Sequence, residues 1–101
     1  MVNKLRSDEN DNLFKAILKL ETIDECYSFF DDLCTVSEIK SMAQRLTVAE
    51  LIAKGESYTD IAKATGASTA TISRVKRCLH YGSDGYTLAL ERKGNKKDTT
   101  G

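Results

Sequence analysis

Five hydroxyl residues punctuate this chain where helices would begin: Ser7, Thr22, Thr35, Ser57 and Ser68. Each precedes a stretch with apolar residues at helical spacing. A Ser or Thr side chain there can accept a bond from a backbone N–H that the first helical turn leaves without a partner. Thr22-Ile23-Asp24-Glu25 and Thr35-Val36-Ser37-Glu38 carry the Thr-x-x-Glu pattern, in which the glutamate reaches back toward the cap. The chain has no proline, so nothing in it must interrupt a helix. These signals together predict an all-α protein.

The helices can be laid out from these caps. Ser7 opens a first helix over about 8–20, with Leu13, Phe14, Ile17 and Leu18 on one face. Thr22 opens a second, to about Leu33, carrying Ile23, Cys26, Tyr27, Phe29, Phe30 and Leu33. Helices this short are marginal alone, so both must pack on something. Thr35 opens the longest, roughly 36–54, in which Ile39, Met42, Ala43, Leu46, Ala49 and Ile52/Ala53 keep the period; Gly55 stops it. A short helix over about 59–65 follows the Ser57 cap and ends at Gly66. Ser68 caps another, through about Leu79. Tyr81-Gly82-Ser83-Asp84-Gly85 is a turn cluster. Residues 86–92 are either a last helix or an extended arm, since Tyr86, Leu88 and Leu90 alternate. Residues 1–92 read as one domain and 93–101, polar and rich in Gly, Lys and Thr, as a disordered tail.

Residues 58–79 have the steric logic of a helix-turn-helix. The small Ala62 sits where two helices would touch, and four residues later Gly66 supplies a sharp left-handed turn. Ile61, Ile72 and Val75 close the small core between them. Polar residues collect near the start of the second helix, the end that in such units faces base edges. The candidate DNA-contacting residues are Thr59 and Lys63 on the first helix, then Ser68, Thr69, Ala70, Ser73, Arg74, Lys76 and Arg77. Among these, Thr69, Ala70 and Ser73 are assigned to base edges, and Arg74, Lys76 or Arg77 to phosphates.

Charge agrees with that division. The 101 residues balance 15 basic against 15 acidic side chains, but unevenly. Residues 1–38 hold 4 basic and 9 acidic groups, whereas residues 54–80 hold 5 and 2. A short positive segment in a neutral chain suits a polyanion. At 41% hydrophobic the chain supports only a thin core, and a second copy would help bury its apolar N-terminal helices. The three cysteines, Cys26, Cys34 and Cys78, lack the pairing of a disulfide framework or the Cys-x-x-Cys of a zinc site, and are expected as small buried or half-buried residues. There is no paired acid and base, no nucleophile–base spacing and no phosphate loop, so no catalytic residue, metal or cofactor is expected. With neither an apolar leader nor a spanning segment, a cytoplasmic protein that does not engage membrane is expected.

The segments Leu33-Cys34-Thr35-Val36-Ser37-Glu38, Arg45 to Leu51, Gly55-Glu56, Gly66-Ala67 and Ala70-Thr71-Ile72-Ser73-Arg74 resemble the Trp repressor superfamily. With Gly85-Tyr86 included, the whole chain is most similar to the Trp-repressor-like YerC/YecD family. The resemblance implies an intertwined helical homodimer with one helix-turn-helix per subunit, binding double-stranded DNA as a transcriptional regulator. In the Trp repressor two arginines sandwich the corepressor indole. The matching residues here are Arg45 and Arg74, with Thr35 and Thr71 at two pocket threonines. Val75 replaces a pocket glycine and Cys78 replaces a hydroxyl residue. Overpacking costs about 1–3 kcal/mol and a lost orienting hydrogen bond roughly 1 kcal/mol. There is also one residue fewer between Gly55 and Gly66. The resemblance therefore implies a repressor that does not depend on tryptophan. Two arginines in one crevice also need a separator: Arg45 pairs with an acidic side chain such as Glu38, a smaller anion binds, or the crevice is closed, and the first or the third is expected. The competing readings are a repressor responsive to tryptophan or another small effector between Arg45 and Arg74, and a helical dimer that binds protein rather than DNA.

Overall fold

The computed structural model describes residues 2–94, with side chains from Lys4 onward. Among the described residues there are six α-helices and no strands: α1 (Asp8–Leu18), α2 (Ile23–Leu33), α3 (Val36–Ala53), α4 (Tyr58–Thr65), α5 (Thr69–Tyr81) and α6 (Gly85–Gly94). A short 3-10 turn, Val2–Leu5, precedes them.

All five expected caps form. Ser7, Thr22, Thr35, Ser57 and Ser68 lie in extended backbone, and each accepts a bond from the N–H three residues on, at 3.0–3.1 Å. The two Thr-x-x-Glu patterns differ in how they close. Glu38 Oε1 accepts from the backbone N–H of Thr35 at 2.8 Å and completes the box. Glu25 Oε1 instead takes the N–H of Glu21, one residue earlier, at 2.7 Å.

The helix ends follow from where backbone groups find partners. The α1 helix stops at Leu18 rather than Leu20 because Lys19 and Leu20 donate to Ala16 and Ile17, tightening the last turn to i→i−3 bonds. After α3, Gly55 takes φ +86°; its N–H bonds Ile52 O and that of Glu56 bonds Leu51 O, a Schellman stop. Nothing breaks α5 at Leu79, and it runs on to Tyr81. Residues 86–92 are helical. Tyr86 and Leu90, one turn apart, pack on the core while Leu88 faces out, which a strand would not allow. The helix passes the expected boundary at 92: Lys93 Nζ meets Glu50 Oε2 of α3 at 2.8 Å. The expected tail is otherwise residues 95–101, which lie outside the described residues.

The core belongs to the C-terminal half. Val48, Ala49, Ile61, Ala67, Ile72 and Val75 are buried, with Leu51, Ile52, Ala62, Leu79, Tyr86 and Leu90 packed around them. The α3 helix packs on α4, α5 and α6, and α5 on α4 and α6. Neither α1 nor α2 buries a residue. Leu18, Tyr27 and Val36 are 81%, 73% and 77% exposed. The apolar period of α3 is thus split. Its second half is buried through Ala49 and through Val48, which lies beside the expected stripe, while Met42 and Ala43 in the first half stay exposed. Between α2 and the start of α3 lies an apolar groove of about 550 Å³, lined by Ile23, Cys26, Tyr27, Phe30, Val36 and Ile39. The cysteines depart from expectation here: Cys34 is half-buried, but Cys26 and Cys78 are exposed. Cys26 lines that uncovered groove, and Cys78 lies outside the buried Ile72–Val75 side of α5.

Candidate nucleic-acid interface

The α4 and α5 helices meet at the expected turn. Gly66 caps α4 in the left-handed region at φ +75°, and its N–H bonds Ala62 O at 2.8 Å. Ile61, Ile72 and Val75 are fully buried between the helices, as their spacing requires, and Ala62 is half-buried beside them. Three polar bonds set the turn. Thr65 Oγ1 donates to Ile61 O at 2.7 Å and accepts from the Ala67 N–H at 3.1 Å. Gln44 Nε2, from α3, donates to Thr65 O at 3.1 Å. Buried Ala67 then leads into the Ser68 cap. Ala67 was absent from the expected core, because a lone alanine in a loop has no periodic signal.

Helical geometry sorts the candidate residues of α5 onto separate faces. Thr69, Ser73 and Lys76 recur at i, i+4 and i+7 and share one face, with Arg77 beside Ser73. Thr71, Arg74 and Cys78, at i, i+3 and i+7, share another. Ile72, Val75 and Leu79 form the side that packs on the core. Thr69, Ala70, Ser73, Arg74, Lys76 and Arg77 are all exposed, as are Thr59 and Lys63 on α4. No acidic residue lies in α5, so its charged side chains, Arg74, Lys76 and Arg77, are all cationic.

Two assignments change in detail. The Ser68 hydroxyl is engaged as the cap of α5, accepting from the Thr71 N–H and donating to Thr71 Oγ1, both at 3.1 Å. Lys76 is not an isolated surface cation: its Nζ stands 5.5 Å from the ring centroid of Tyr58, the first residue of α4. No sequence period signals this contact, since Tyr58 and Lys76 lie 18 residues apart on different helices.

The residues matched to a ligand pocket are dispersed among roles. Thr35 is the exposed cap of α3. Arg45 is half-buried on α3, which packs on α5. Thr71 is half-buried, and Arg74 and Cys78 are exposed. Val75 is 1% exposed, so its side chain is part of the core. Glu38 is not the partner of Arg45. Its carboxylate is folded back on Thr35, and seven residues of helix separate the two by about 10 Å along the axis. Among the described residues Arg45 makes no ion pair.

Comparison with known proteins agrees with this architecture. The profile of the family described as Trp repressor protein matches residues 8–94. The uncharacterized protein YerC of Bacillus subtilis (strain 168) is 59% identical over 91 residues, covering 90% of this chain and 88% of YerC. The crystal structure of a candidate Trp repressor from Staphylococcus aureus superposes with a TM-score of 0.89 at 55% identity, over 95% of this chain and 96% of that one. A TrpR-like protein from Eubacterium eligens ATCC 27750 gives 0.87 at 53% identity, over 91% and 95%. Helix order, turn and matched length leave one assignment: this chain belongs to the Trp repressor family.

Proposed function

We propose that the protein is a homodimeric, sequence-specific DNA-binding transcriptional regulator of the cytoplasm, a repressor whose DNA binding does not require tryptophan. The observation that carries this is the α4–Gly66–α5 unit. Ile61, Ile72 and Val75 are spent on the core, leaving Thr69, Ala70, Ser73, Arg74 and Arg77 exposed on an acid-free helix whose N-terminus is capped by Ser68. No helix among the described residues is long and apolar enough to cross a membrane.

A second copy is the occupant that best suits the groove between α2 and α3. One small chain leaves Ile23 and Tyr27 exposed on α2, which buries no residue, and Val36 exposed at the start of α3. A twofold pair would bring two reading helices to successive turns of one DNA face. Independence from tryptophan is supported by Val75, whose side chain fills core space on α5.

The test is selection of bound sequences from random duplex DNA by the purified protein, followed by affinity against salt. A recovered, roughly palindromic site whose affinity falls steeply with salt supports the reading. Recovery of no sequence, with binding insensitive to salt, sinks it in favour of a protein-binding helical dimer.

A further inference from the structure

We propose that Tyr58 is a positioning residue of the DNA surface, holding the Lys76 ammonium on the reading face of α5 for a backbone phosphate. The proposal rests on the DNA-binding reading above and adds a residue and a role to it. Lys76 lies on the same face of α5 as Thr69 and Ser73, the residues assigned to bases. It lies at the edge of α5 nearest the start of α4, where the Tyr58 ring is 5.5 Å away. Tyr58 is itself 37% exposed, so the pair is at the surface and open to a large anion.

A free lysine gives up much rotamer freedom when it fixes on a phosphate. A ring that already confines the ammonium removes part of that loss before DNA arrives. The contact leaves ammonium hydrogens free, because –NH3+ carries three donors and the ring face takes up one side. Ring and phosphate can therefore be engaged together. The same contact ties the first turn of α4 to the third turn of α5, coupling the helix that lies across the backbone to the one that reads bases.

The experiment is a double-mutant cycle on affinity for the selected duplex, using Tyr58→Leu, Tyr58→Phe, Lys76→Met and Tyr58→Leu/Lys76→Met, each measured over a salt series. An exposed cation–ring contact predicts a loss of about 2- to 5-fold for Tyr58→Leu. Its salt slope should match wild type, since Lys76 still neutralises its phosphate. Tyr58→Phe keeps the ring face and should bind within about 1.5-fold of wild type. Lys76→Met should lower the salt slope by about one unit, and adding Tyr58→Leu to it should cost nothing further. Three results overturn the proposal: an equal loss from Tyr58→Leu with and without Lys76, a gain in affinity for Tyr58→Leu, or a Tyr58→Phe defect as large as that of Tyr58→Leu. Wild-type protein that binds no duplex overturns the DNA reading and this role with it. Wild-type binding without coupling removes only the role of Tyr58.

Discussion

Gln44 of α3 donates through Nε2 to the carbonyl of Thr65, 21 residues away, at 3.1 Å. This partly buried bond fastens the turn between α4 and α5 to the longest helix. Its loss would leave the last carbonyl of α4 without a side-chain partner. Gln44→Ala should lower stability by about 1–1.5 kcal/mol, read by urea unfolding at fixed protein concentration. An unchanged midpoint would mean that water replaces the amide at no cost.

Two glycines should differ in how they tolerate alanine. At Gly66 the left-handed φ of +75° is the whole obstacle, because an added Cβ meets nothing within 4 Å. Gly66→Ala should cost about 1–2 kcal/mol. At Gly82 the added Cβ would lie 2.5 Å from the Cys78 carbonyl oxygen, which belongs to the backbone and cannot swing away. Gly82→Ala should therefore be the more damaging change, displacing the α5–α6 junction. The reverse order in thermal melts would show that the junction yields more readily than the turn.

The exposed groove between α2 and α3 makes an assembly prediction. Sedimentation at micromolar concentration should give about twice the 11.2 kDa chain mass. Introducing a charge into the groove with Tyr27→Asp should shift the protein toward monomer and lower its helicity, since α1 and α2 bury nothing within their own chain. A well-folded wild-type monomer would contradict the intertwined arrangement.

Tryptophan at millimolar concentration should leave the melting temperature and DNA affinity of the wild type unchanged. A joint rise in both would restore the corepressor role of the Arg45–Arg74 pair. Val75→Gly, the variant that reopens the matched position, carries a stability cost of its own. It deletes a buried side chain and puts glycine inside α5, together about 2–4 kcal/mol. Stabilisation by tryptophan must therefore be compared within that variant, with and without ligand. A shift there and none in wild type would identify the valine as what keeps the indole out.

The Glu50–Lys93 pair should matter little by comparison. Its side chains are 30% and 58% exposed, so Lys93→Met should cost less than about 1 kcal/mol. The difference should shrink further at high salt. A larger loss would assign α6 a clamping role beyond the packing of Tyr86 and Leu90.

Most of the helical framework was legible residue by residue, because capping and left-handed turns are local chemistry. Ser7, Thr22, Thr35, Ser57 and Ser68 each reach a backbone N–H three residues away, and Gly55 and Gly66 need only their own φ. The Ile61–Ile72–Val75 core was equally legible, since its members lie within one supersecondary unit whose turn brings them together. What the tertiary structure decided depends on contacts that no period encodes. The Gln44–Thr65 bond and the Lys76–Tyr58 contact join positions 21 and 18 residues apart, on helices whose crossing sets the meeting. Tyr86, Leu88 and Leu90 suit a strand or a helix equally, and only packing of α6 on α3 and α5 chooses between them. The same holds for α3: its apolar stripe runs the length of the helix, but only the half carrying Val48 and Ala49 has residues buried by the chain's own helices. Periodicity names the face a helix must cover, whereas what covers it depends on where the rest of the chain lies in space.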